Sequence, residues 1–112
     1  MAKFKMIALT TPVAGKEEAF HDWYQNVHLP ELCTIAGLKG GQRYKLVTKF
    51  IGADTNQWLA IYDIDVDDPM TFLGAMGEAA GSGRLTQSDA SDMGVTYTAF
   101  FSEYGERVEA KA

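Results

Sequence analysis

The sequence is short of the residues that most simply announce a function. It has one cysteine, Cys33, which excludes an internal disulfide framework and any cysteine-based zinc site. Ten basic residues are scattered against fifteen acids, and a net charge of −5 leaves no basic face for nucleic acid. No apolar run approaches the ~18 residues that a membrane helix needs. The opening stretch MAKFKMIALTTPVAGKEE has no long apolar core, so no secretory leader is expected and a cytoplasmic setting is. Glycine-rich phosphate loops are missing too, since GLKGG follows a helical pattern and GSG lies in a linker. DIDVDD lacks the glycine and closing glutamate of a calcium loop, and its acids read as a strand end and a helix cap. Metal and nucleotide chemistry therefore have no sequence support.

What is present is one domain's worth of alternating and helical patterns. At 112 residues there is room for a single core, expected over 1–104, with 105–112 as a tail. KFKMIALT reads as a strand over 3–10. Gly15 precedes a helix with Glu17 and Glu18 in its first turn and Phe20, Trp23, Tyr24 and Val27 as its buried stripe. Pro30 is expected to end that helix and open a short one, PELCTIAG. GGQRYKLVTKF predicts a second strand with a bulge near its glycine pair, IGADTN a hairpin, and QWLAIYDIDV a third strand. Asp68-Pro69 starts the helix PMTFLGAMGEAA; GSGRLTQSDASD is a loop, read as plain surface rather than as a lid. MGVTYTAFFSEYGERV is the last strand. The order is β-α-β-β-α-β, an α+β, ferredoxin-like arrangement: a four-stranded antiparallel sheet with both helices on one face.

The second face of that sheet is too apolar for water. Trp58, Ala60, Tyr62 and Ile64 point one way in the third strand, yet Leu59 and Ile61 point the other. Val95, Tyr97, Ala99 and Phe101 oppose Thr96, Thr98 and Phe100, and Met6 and Ala8 oppose Ile7 and Leu9. A chain this short has no third layer, so a second copy packed sheet to sheet is expected.

Two histidines sit among the aromatics of FHDWYQNVHLPEL. At 100° per residue, His21 and His28 flank the buried stripe beside the Tyr24 phenol, with His28 at the helix end. Imidazole is the side chain best matched to moving a proton near neutral pH, although a histidine capping helix carbonyls fits the same position. Two turns apart, the pair cannot share one metal ion directly. Tyr44, Trp58, Tyr62 and Tyr97 alternate with aliphatic neighbours, and tyrosine in an apolar wall can orient a ligand oxygen. Cys33 has no base beside it and reads as a small hydrophobe on a half-buried turn.

FHDWYQNVHLPELCTIAGLKGGQRYKL, WLAIYDID and the Asp-Pro helix start together resemble the EthD-like branch of the dimeric α/β-barrel superfamily, over roughly residues 4–72. The resemblance implies a homodimer with a pocket between helices and sheet in each subunit. It also brings relatives that include cofactor-free cyclases and decarboxylases, metal-free monooxygenases and haem proteins. The family's histidine matches His28. The expectation is a cofactor-independent enzyme acting on an aromatic, polycyclic or ketide-like carbonyl compound. His28 would be its acid or base, with Tyr24, Tyr44, Trp58, Tyr97 and His21 lining the substrate site. A non-catalytic binder of hydrophobic metabolites and a haem-binding member are the alternatives.

Overall fold

The computed structural model describes residues 3–53 and 56–111. Four strands form one antiparallel sheet in the order β2-β3-β1-β4. They are β1 (Lys3–Thr10), β2 (Leu38–Lys45), β3 (Trp58–Asp65) and β4 (Tyr97–Ser102). The helical elements are α1 (Glu17–Trp23), a π-helical segment (Tyr24–His28), α2 (Leu29–Leu32) and α3 (Pro69–Gly81). Two split βαβ units thus interleave, which is the ferredoxin-like topology.

Strand register decides which side chains meet the helices. Met6 pairs with Tyr62 and Ala8 with Ala60 on β3, while across β4 they pair with Phe100 and Thr98. Met6, Ala8, Ala60, Tyr62 and Ile64 form one core with Phe20, Tyr24, Leu29 and Leu32, and with Phe72 and Ala79 of α3. Both helical layers therefore cover the same face. Asp68 caps α3 by accepting the Met70 amide at 2.9 Å, and Pro69 follows at the position where a missing N–H costs nothing.

The other face carries Ile7, Leu9, Leu59, Ile61 and Ala99, with Tyr44, Tyr97 and Phe101 about half exposed. No element among the described residues covers it.

Two glycines are required where they stand. Gly37, at φ +97°, turns the chain into β2, where a side chain would run into Val66. Gly41 lets Tyr62 and Leu29 close over the strand: a Cβ there would stand 2.7 Å from the Tyr62 ring and 3.0 Å from Leu29. The expected bulge lies between Leu38 and Gly40, just ahead of the glycine pair.

Several boundaries differ from the sequence expectation, and the short helix expected over PELCTIAG ends already at Leu32, where the chain passes into turns. Pro30 does not end the helix: the backbone stays right-handed helical through Trp23, Tyr24, His28 and Leu29. Pro30 has no N–H to return to the preceding turn, and the chain answers by widening, with the Leu29 amide reaching back to the Tyr24 carbonyl. β2 stops at Lys45, so Val47, Phe50 and Ile51 extend into solvent instead of pairing. The tip of the IGADTN hairpin, Asp54 and Thr55, lies outside the described residues. β4 is shorter than expected at both ends; after Ser102 the chain is irregular and exposed. Among the described residues no helix is long and apolar enough to cross a membrane.

Candidate functional site

A cavity of about 380 Å³ opens between the sheet and its helical layer. Its floor is the end of β1 (Met6, Ala8, Thr10) with Tyr62 of β3 and Thr96 and Thr98 at β4. One wall is the widened helix, through Trp23, Tyr24, His28 and Leu32. The opposite wall is α3. There Leu73, Met76, Gly77 and Ala80 recur at helical spacing, while Phe72 and Ala79 pack into the core. Gly77 has open space where a side chain would project, so α3's small residues leave room that a packed helix would fill. The lining is mostly apolar, and the size is that of pockets holding small organic molecules.

The segment 82–96 completes the wall through Leu85, Thr86, Gln87, Ser88 and Ser91, so it is more than the plain surface loop expected. It is tied down at several points. The Glu31 carboxylate accepts both the Thr86 amide and its hydroxyl at 2.7 Å, and Trp23 Nε1–H donates to the Thr86 carbonyl at 2.9 Å. Those two bonds from Thr86 hold the Glu31 pKa below its ordinary value. Lys16 pairs with Asp89, and the Val13 and Asp92 amides bond to the carbonyls of Ala90 and Thr11.

His28 stands in this wall, stacked on Trp23 with ring centroids 4.5 Å apart and edge-on to Tyr24 at 4.9 Å. Its Nδ1 is buried with no hydrogen-bond partner among the described residues. It is thus not the carbonyl-capping histidine that its position at a helix end allowed. Burial pushes its pKa down from 6.5 to about 4, with the Glu31 charge pulling weakly the other way, so the ring is neutral at pH 7. A neutral imidazole lining a mostly apolar chamber is equipped to accept a proton.

Tyr24 lines the same cavity, and its hydroxyl meets that of Tyr62 at 2.7 Å. Burial raises the pKa of both phenols, so both keep their protons. Tyr62 was grouped with the strand tyrosines by sequence, but its partnership across 38 residues carried no local signal.

The other expected site residues lie elsewhere. His21 and Trp58 are on the helix-facing side but beyond the cavity, with rings 4.2 Å apart. Arg43 donates to His21 Nδ1 at 2.8 Å and lies over Phe20, Tyr24 and Trp58. Desolvation and then the Arg43 charge lower the His21 pKa. The two histidines part because a π-segment winds less per residue than an α-helix, so a constant 100° step misplaces His28 relative to His21. Tyr44 and Tyr97 are corrections of face: each pairs with an open-face residue, Leu59 and Leu9, and neither lines the cavity. Cys33 is exposed rather than half-buried. Among the described residues no three His, Cys, Asp or Glu side chains cluster as metal ligands. Missed by sequence were the Gly77 face of α3 and the threonines of β4. The run of small residues in LGAMGEAA, where a core helix would carry bulk, was the available signal.

No family model and no curated protein matches the sequence. Two solved structures do match in shape. One is an ethyl tert-butyl ether D (EthD) family protein of Bacillus halodurans C-125, at TM-score 0.64 and 23% identity over 91% of this chain and 99% of that one. The other is a candidate monooxygenase of Shewanella loihica PV-4, at TM-score 0.62 and 16% identity over 94% and 97%. The chain has their fold. At such identities the likeness carries architecture, and chemistry has to be argued from the cavity.

The lowered His28 pKa makes stability depend on pH. Between about 6.5 and 4 the unfolded chain takes up a proton that the folded one refuses, so acid favours unfolding across that window. Full passage through it costs on the order of 3 kcal/mol. Urea unfolding of wild type and His28→Gln at pH 7.5 and 4.5 checks this. The wild type is expected to lose more stability than the variant on acidification; equal losses would place the imidazole in water.

Proposed function

We propose that this chain binds an apolar carbonyl compound in its cavity and removes a proton beside the carbonyl group, with His28 as general base. The supporting observation is a desolvated, neutral imidazole with an unpartnered nitrogen in the wall of an apolar chamber of about 380 Å³. Protein interiors rarely leave such a nitrogen unsatisfied, and the exceptions concentrate at working sites. Negative charge gathering on the substrate oxygen favours the imidazolium, so the base strengthens as the reaction proceeds. Cyclisation, dehydration and isomerisation all draw on this one step; decarboxylation reaches the same enolate by loss of CO₂ and then takes up a proton at carbon, and none requires a metal or organic cofactor.

The likeness to a candidate monooxygenase favours a second reading at the same site. A carbanion made by His28 is electron-rich enough to meet dioxygen, taking a CH₂ group to C=O with release of one water per O₂. Oxygen uptake separates this outcome from proton transfer alone.

Deuterium uptake from D₂O by the carbon next to the carbonyl of 2-tetralone tests the base directly. The protein is expected to accelerate exchange, and His28→Gln to lose roughly 10²-fold or more of that acceleration. Undiminished exchange in the variant would remove His28 from the chemistry.

We also propose that two copies join through the open sheet face. Its apolar side chains from all four strands are more than a lone soluble domain usually exposes as one patch, and the fold shared with the EthD family protein fits such pairing. Sedimentation at micromolar concentration is expected to give twice the 12.3 kDa chain mass. Phe101→Lys, which puts a charge on a half-exposed position of that face, is expected to give monomer. A monomeric wild type would contradict the pairing.

A further inference from the structure

The two phenols beneath the cavity are not equivalent. Tyr62 is fully enclosed, at 0% exposure, whereas Tyr24 keeps 3% and lies on the helix beside His28. Their hydroxyls share one hydrogen bond of 2.7 Å, and neither makes another among the described residues. Each phenol has one O–H and can also accept. If Tyr24 donated, the Tyr62 proton would be sealed in with no acceptor, an arrangement that folded proteins avoid. The opposite polarity satisfies Tyr62 and leaves the Tyr24 proton as the unspent one, on the residue nearer to open space.

We propose that Tyr62 donates to Tyr24 and that Tyr24 donates to the oxygen of a bound ketone or enolate, making this pair the oxygen anchor of the site. The inference rests on the cavity being a ligand site, as argued above. Chained hydrogen bonds polarise one another, so a Tyr24 hydroxyl that already accepts from Tyr62 is the stronger donor. Arg43, with its guanidinium carbon 4.8 Å from the centre of the Tyr24 ring, adds a positive charge behind the pair. Burial raises both pKa values and Arg43 lowers both; the shared hydrogen bond pulls Tyr24 back down and pushes Tyr62 further up. Tyr24 is therefore the phenol that better supports negative charge.

The anchor narrows the ligand class. Tyr24 and His28 are four residues apart on the widened helix with their rings 4.9 Å apart, and both line the same cavity. A substrate that uses both carries an acceptor oxygen one carbon away from an acidic C–H: an enolisable ketone, or a hydroxyaromatic in its keto form. In the reaction the C–H bond breaks toward an imidazole nitrogen and its electron pair forms the C=C bond. The carbonyl π pair moves onto oxygen, where the Tyr24 O–H holds it. Tyr62, in the cavity floor, does not hold the substrate oxygen itself; it acts through the Tyr24 hydroxyl as a positioning residue.

The test compares 2-tetralone with tetralin, the same bicycle without the oxygen. In wild type the ketone is expected to bind about 3- to 10-fold more tightly, as one hydrogen bond in a desolvated site provides. Its carbonyl stretch, followed by isotope-edited infrared difference spectroscopy, is expected to move to lower frequency on binding. Tyr24→Phe abolishes both effects, and Tyr62→Phe weakens both. Equal binding of ketone and hydrocarbon with an unshifted carbonyl would overturn the anchor and leave the cavity standing as an apolar site. Wild-type signals that persist unaltered in Tyr62→Phe would overturn the relay. Failure of both probes to bind would overturn the ligand site itself, and the anchor with it.

Discussion

A proline nitrogen has no hydrogen to give, and this site follows from where that deficit falls. Pro30 sits within a helical run instead of at its end, and the turn ahead of it opens into a π-segment from Tyr24 to His28. The opening changes the angular step along the helix. It sends His28 toward the sheet-facing chamber while His21, on the regular part, turns toward Arg43 and Trp58. A regular α-helix would have kept the two imidazoles on one side. Single-turn π-bulges are found mostly at functional sites, because they re-aim a side chain without breaking the element that carries it.

Around that ring the fold withholds water instead of supplying partners. Trp23 stacks on His28 and also fastens the 82–96 segment through Thr86, and Glu31 fastens the same residue from the next turn. The aromatic that desolvates the imidazole is thus the one that holds the 82–96 segment in place. Small residues on α3 keep the chamber open, and Gly41 lets Leu29 and Tyr62 seat tightly beneath it. In such a place one unsatisfied nitrogen and one unspent phenol proton carry far more weight than they would in water.

Much of the architecture was legible from period alone. The strand starting at Lys3, the Asp68 cap, the βαββαβ order and the division of Met6, Ala8, Tyr62 and Ile64 from Ile7, Leu9 and Ile61 all follow from alternation and capping chemistry. His28 was legible as a candidate because helical spacing sets it beside the buried stripe at the helix end, and the structure brings it together with Tyr24 at the cavity. Tyr44 and Tyr97 went to the wrong wall because alternation says which residues share a face but not which face is hollow. The Tyr24–Tyr62 contact could not be read because it joins a helix to a central strand through tertiary packing. The π-segment escaped notice because a proline in a helical pattern is normally a stop signal.

The central claim is that burial keeps the His28 ring neutral well below pH 6.5, and nitrogen-15 NMR of the histidine side chains across pH measures this most directly. The account expects the His28 ring nitrogens to titrate with a midpoint of about 4 and to move on addition of 2-tetralone. A titration midpoint near 6.5, unaffected by the ketone, would contradict it.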